Sequence, residues 1–137
     1  MEGYRLACEI PVRFSDTDAM GHVNNAVYLS YLEEARVEYL RRVVGRPRVK
    51  DMGVIVARIE IDYKSPAFDH ERLVVGCRVD KLGGSSISMS YRIEEKATGR
   101  LVAVAASVMV AFDYVRGRPR RLEQELRGKM EAFDGIS

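Results

Sequence analysis

The chain has 137 residues, 47% hydrophobic and 31% charged, with a formal net charge of +2. That length carries one domain with a real core, here spanning residues 1–137, and that mixture excludes a disordered chain. A balance so near neutrality gives no ground for expecting nucleic acid, and Cys8 and Cys77, each inside an apolar run, form neither a disulfide framework nor a Cys-type metal motif.

The N-terminus MEGYRLACEI lacks the basic and then apolar pattern of a leader. No run approaches the ~18 apolar residues of a membrane span. The expectation is a cytoplasmic protein without membrane contact. YRLACEIPVRF alternates, with Tyr4, Leu6, Cys8, Ile10, Val12 and Phe14 on one face, which predicts a half-buried strand. Pro11 falls in the outer set and marks an edge or bulge. Residues 25–44 carry a helical stripe at Tyr28, Leu32, Ala35, Tyr39 and Val43, with Glu38 and Arg42 at pairing distance on the wet side. Gly45 and then Pro47 end that helix.

Strands follow. VIVARIEIDY places Ile55, Ala57, Ile59, Ile61 and Tyr63 on one face; RLVVGCRVDKL and SSISMSYRIEE repeat the pattern around a Gly83-Gly84 turn. Thr98-Gly99 marks the next turn, before LVAVAASVMVAFDY, apolar almost throughout, as befits a central strand covered on both faces. Leu122, Leu126, Met130 and Phe133 predict a short C-terminal helix. The reading is an α+β domain in which four consecutive meander strands form an antiparallel sheet against one long helix. One helix cannot cover both faces of the last long strand, which predicts a partner subunit.

The segment FSDTDAMGHVNNAVYLSYLEEAR, residues 14–36, gathers acid, imidazole and amide groups before the helix. An N-cap needs only Asn24 or Asn25 and leaves Asp16, Asp18, Gly21 and His22 unexplained. D-x-D-x-x-G opens like a calcium loop, yet Met20 and Val27 stand where oxygen ligands belong. A metal site on Asp16, Asp18 and His22 lacks a further strong ligand cluster, so none is expected. No nucleophile elbow or phosphate loop is present. What remains is a carboxylate beside a helix N-terminus, whose N–H groups can hold a developing oxyanion. Such a carboxylate can attack a carbonyl or activate water, which suits acyl transfer or hydrolysis.

Phe14-Ser15-Asp16-Thr17-Asp18, Gly21-His22-Val23-Asn24-Asn25, Tyr28, Tyr31 and Glu34-Ala35-Arg36 resemble the hotdog-fold acyl-CoA thioesterases, in particular the 4-hydroxybenzoyl-CoA thioesterase-like branch. The resemblance implies a long antiparallel sheet wrapped round one helix, no metal or organic cofactor, and dimers with the active site at the subunit interface, often stacked into tetramers. It implies that Asp18 is the catalytic carboxylate and that the N–H near Asn25 polarises the thioester carbonyl. His22 joins the catalytic group by positioning the loop, while Asn24 and Tyr28 fall in the substrate-binding part of the motif. Asp16 is expected to hold the loop and orient His22 or the asparagines. Some members carry an aliphatic residue at the place of His22 and a His or aromatic residue at that of Asn25, so the version here points to fatty rather than aromatic acyl groups.

Glu33 and Glu34 rival Asp18 as a helical carboxylate, as used in another branch, but a solvated ion pair with Arg36 is the plainer reading. His70, in PAFDHERL, reads as surface. Arg116, Arg118, Arg120 and Arg121 are solvated surface, a nucleic-acid patch or a cradle for CoA phosphates; the resemblance favours the last for Arg118 and Arg120 over nucleic acid. Ser85 and Ser86, after the Gly83-Gly84 turn, would lie by the nucleotide or pantetheine arm. A non-catalytic acyl-CoA binder, an acyl-carrier-protein thioesterase and a hydratase are the competing functions.

Overall fold

The computed structural model describes residues 1–45 and 53–136. Strand β1 (Leu6–Pro11) leads through a short 3-10 turn, Phe14–Asp16, into the helix α1 (Val27–Tyr39). A π-turn, Leu40–Val44, closes it, and Gly45, in the left-handed conformation at φ 81°, stops the helix by donating its N–H to Arg41 O. The helix stop expected at Pro47 lies outside the described residues. Strands β2 (Val54–Tyr63), β3 (Arg72–Leu82), β4 (Ser86–Glu95) and β5 (Leu101–Asp113) follow, then a two-residue β6 (Arg118–Pro119) and the helix α2 (Gln124–Asp134).

The α+β expectation is borne out: one antiparallel sheet lies against α1, with the order β1-β3-β4-β5-β2 and β6 added to β5. The four-strand meander is not. Only β3, β4 and β5 run as consecutive hairpins, while β2 crosses to the far edge and pairs with β5. The reason lies between Tyr63 and Arg72, where a long segment containing Pro66 replaces a tight turn and releases β2 from β3.

The buried face of α1 carries Tyr28, Tyr31, Leu32, Ala35, Arg36 and Tyr39 against Leu6, Val75, Cys77, Ile87, Met89 and Tyr91. Alternation makes β4 half-buried on one side and buried on the other. Within the single chain the outer face of β5 is half-buried. Three further local readings change. Phe14 is 79% exposed rather than inward, because the chain leaves the sheet after Pro11 and turns. A bulge between Val56 and Arg58 shifts the parity of β2, so Ala57 is exposed while Ile59 and Ile61 keep the inner face. Glu38 pairs chiefly with Arg41 at 2.6 Å, and Arg42 stands at 3.8 Å.

Candidate active site

The two aspartates of the polar loop separate cleanly. Asp16 is 4% exposed; its Oδ2 accepts from the Arg13 N–H at 3.0 Å and from the Tyr31 hydroxyl at 2.8 Å. Its Oδ1 faces the Arg13 guanidinium at 3.3 Å. Burial alone would raise the Asp16 pKa, but these donors outweigh it and hold the carboxyl below its ordinary range. Burial, together with the same hydrogen bond, drives the Tyr31 hydroxyl far above its usual value. The Asp16 carbonyl also accepts the Asn24 N–H at 2.9 Å. Asp16 therefore holds the loop, as expected, and reaches Asn24 through its backbone. Of the two alternatives expected, His22 or the asparagines, it is an asparagine that Asp16 meets, while both carboxylate oxygens face Arg13 and Tyr31.

Asp18 stands at the turn itself, its side chain 33% exposed. Its Oδ1 accepts the Met20 N–H at 2.8 Å, and its backbone N–H donates to the His22 carbonyl at 2.9 Å. Gly21, at φ 88°, permits the reversal and returns its N–H to Asp18 O. Among the described residues no hydrogen bond claims Asp18 Oδ2. His22 Nδ1 lies 3.8 Å from Asp18 Oδ1, beyond hydrogen-bond length. The imidazole packs edge-on against Phe68, with centroids 6.2 Å apart.

The helix start begins two residues later than the periodicity predicts. Asn24 Oδ1 accepts the Ala26 N–H and Asn24 O accepts the Val27 N–H, both at 2.9 Å. Asn24 thus closes the turn before α1 with its side chain, as Asn does at helix entries. No acceptor among the described residues takes the Asn25 N–H. A cleft of about 240 Å³ opens here, lined by His22, Asn25, Tyr28, Tyr63, Ser65 and Pro66 among others.

Lys64, Ser65 and Pro66 form one wall of the cleft, and the chain runs on from there to Glu71. Ala67 O accepts the Val23 N–H at 2.8 Å, while Phe68 bridges His22. Arg100 fixes this wall with a two-pronged ion pair to Glu71, at 2.9 and 3.1 Å, and a bond to Pro66 O at 3.0 Å.

The structure thus brings Asp18, His22, Asn24, Asn25 and Tyr28 to one end of the molecule. It does not bring Ser85, Ser86, Arg118 and Arg120 there. Ser85 O accepts the Ala111 N–H, Arg120 donates its N–H to Ala111 O, and Arg118 pairs with Asp113. The first group sits by Tyr63, whose strand partner is Ala103. From Ala103 to Ala111 the strand β5 runs eight residues, roughly 27 Å.

Glu33 and Glu34 are exposed on α1, and neither pairs with Arg36 as expected. Arg36 turns inward, 6% exposed, and donates to the Tyr91 hydroxyl at 3.3 Å, which in turn meets Ser107 Oγ at 2.6 Å. Glu34 borders a hollow beside Arg13, Asp16 and Tyr31. His70 is exposed and lies beside Asp69 at 3.2 Å. The roles of Tyr31, Tyr63 and the Arg100–Glu71 pair escaped the sequence reading. The available signal was a hydroxyl on an apolar stripe, which marks a buried polar partner without naming it.

Among the described residues, no three His, Cys, Asp or Glu side chains converge as a metal-binding group, and no helix is long and apolar enough to cross a membrane.

Residues 12–130 match the Thioesterase-like superfamily, and the chain belongs to that family. It is 34% identical to the long-chain acyl-CoA thioesterase FadM of Escherichia coli strain K12, across 92% of this chain and 97% of that one. It is 28% identical to the acyl-CoA thioester hydrolase YbgC of an E. coli O6:H1 strain, covering 85% and 90% of the two chains. Among solved structures, a thioesterase from Thermus thermophilus, complexed with coenzyme A and Zn, superposes with a TM-score of 0.90 at 36% identity, over 100% of this chain and 99% of that one. The hotdog thioesterase resemblance and its sheet-and-helix architecture are borne out.

Proposed function

We propose that the protein is an acyl-CoA thioesterase that hydrolyses fatty acyl-CoA to the free acid and CoA, with Asp18 as its carboxylate. The observation that carries this reading is that Asp18 Oδ2 and the Asn25 N–H, both without a hydrogen-bond partner among the described residues, stand in one loop before α1, with His22 and Asn25 opening on a cleft walled by Tyr28 and Tyr63. The hydrolase class itself rests on the family match and on the thioesterase names of the relatives.

A thioester carbonyl gains little resonance from sulfur, so one carboxylate and one oxyanion donor suffice. Asp18 either attacks the carbonyl carbon and expels the CoA thiolate, leaving an anhydride that water opens, or takes a proton from the water that attacks. In both routes the Asn25 N–H, at the positive end of α1, takes the charge that develops on the carbonyl oxygen. His22, 3.8 Å from Asp18, holds the loop against Phe68. Asn24 and Tyr28 shape the substrate's entry. The chemistry uses no metal and no organic cofactor.

Ser85, Ser86, Arg118 and Arg120 cannot serve the same end of the same chain, given the strand length between them. We assign them to the CoA moiety bound at a second copy's Asp18, so that a cytoplasmic homodimer, stacked into a tetramer, assembles each site from two chains. The fatty preference draws on the Gly21-His22-Val23-Asn24-Asn25 version of the loop and on the relative named a long-chain acyl-CoA thioesterase.

Thiol release from short, long-chain and aromatic acyl-CoAs, with a long-chain acyl-carrier protein as a further arm, tests the reading. The expected result is the highest kcat/KM on a fatty acyl-CoA. Thiol release from none of them would remove the assignment, and preference for the aromatic or carrier-protein substrate would correct its substrate class.

A further inference from the structure

We infer that Tyr63 is a positioning residue for the oxyanion donor, acting from the last position of edge strand β2. Its hydroxyl donates to the Asn25 carbonyl at 2.8 Å, across 38 positions of sequence. The N–H of the same peptide unit, on Ala26, is held by Asn24 Oδ1 at 2.9 Å. Both polar atoms of the Asn25–Ala26 peptide are therefore pinned, one from the loop and one from the sheet. The Asn25 N–H itself belongs to the preceding peptide, whose Asn24 carbonyl accepts the Val27 N–H at 2.9 Å. With the following peptide pinned by Tyr63 as well, both ends of Asn25 are held and its N–H keeps one direction. An oxyanion donor needs this, because a preorganised dipole does not have to reorient during the reaction.

The ring of Tyr63 is held too. It packs edge-on against Tyr28 at 5.2 Å, Tyr28 packs against Tyr31 at 5.8 Å, and Tyr31 hydrogen-bonds Asp16 at 2.8 Å. Three tyrosines thus join the buried aspartate of the loop to the carbonyl of Asn25. A purely structural tyrosine would sit deeper. Tyr63 is 44% exposed, so its ring contributes modest burial while its hydroxyl is committed to one backbone carbonyl.

The inference rests on the role given to Asn25 above, and the experiment separates the two. Tyr63→Phe removes one oxygen and keeps the ring. With the acyl-CoA that the parent turns over best, kcat should fall about tenfold while KM stays within about twofold, because a misdirected donor weakens the transition state and not substrate binding. Amide hydrogen exchange on the same protein should show the Ala26 N–H exchanging about tenfold faster, with the β4 amides unchanged. A kcat within twofold of the parent, a loss confined to KM, or an unchanged Ala26 exchange rate would each overturn the inference. If the parent releases no thiol at all, the thioesterase reading fails by itself. Faster Ala26 exchange would then still support Tyr63 as the residue that fixes this peptide, and unchanged exchange would still refute it.

Discussion

The two ends of strand β5 are built in opposite ways. Near Ala103 the chain assembles a dense network: Asp16 buried under Tyr31, Asn24 closing the helix entry, and Arg100 clamped on Glu71. Near Ala111 the polar groups are arginines on a hairpin, with Arg118 exposed in β6 and Arg116 lying 3.8 Å from Asp113. A fixed network suits a reaction that needs atoms held in place, whereas exposed guanidinium groups suit a flexible phosphate-bearing ligand. The comparison predicts that changes at the first end alter turnover or stability and changes at the second alter binding.

The largest effect is expected at Asp18. Asp18→Asn keeps size and the Met20 turn but removes the base, and kcat should fall about 100-fold or more with KM within a few-fold. The melting temperature should stay close to that of the parent, since the side chain is partly exposed and makes one local bond.

Asp16→Asn should show the reverse. Leaving the Arg13 N–H or Tyr31 hydroxyl poorly matched in a buried place costs about 1–3 kcal/mol of stability, read as a lower thermal midpoint. The pH dependence has a definite sign. The folded pKa of Asp16 is lowered, so its stabilisation is present above the unfolded value near ~3.9 and is lost as pH falls through the lower folded value. The gap in thermal midpoint between parent and Asp16→Asn should therefore be constant near neutrality and close below about pH 4. A gap that persists at lower pH would show that the charge on Asp16 is not what the loop relies on.

At the other end, Arg118→Ala should raise KM about three- to tenfold and flatten its salt dependence, with kcat nearly unchanged, because a remote contact binds ground and transition states alike. The smallest effect is expected from Glu33→Gln and Glu34→Gln, each within about twofold in kcat as exposed helix positions. A dead Glu34 variant would move the chemistry to the hollow it shares with Arg13 and Tyr31.

What the sequence made legible is what local periodicity and short motifs encode. The stripe of α1, the alternation of β3 and β4, and the polar loop's Asp18, His22 and Asn25 could all be picked out from spacing or resemblance. Strand order could not, because the crossing of β2 to β5 depends on a long connection rather than on any residue of β2. The bulge at Val56–Arg58 reverses a face without changing composition. Arg36 looked like a surface charge beside two glutamates, yet its position on the helix turns it toward Tyr91. Tyr31 and Tyr63 have partners 15 and 38 positions away, and no local pattern names a hydroxyl's distant acceptor.

The claim that joins the two ends is that one substrate is served by Asp18 of one copy and by Arg118 and Arg120 of another. Co-expressing Asp18→Asn chains with chains carrying Arg118→Ala and Arg120→Ala tests it, assayed at substrate well below the KM of the arginine variant. A two-fold dimer mixing at random places both defects in one site and leaves the other intact, so the mixture should recover roughly a quarter of the parent's rate, more than either variant gives alone. A rate equal to the simple average of the two variants would contradict the shared site.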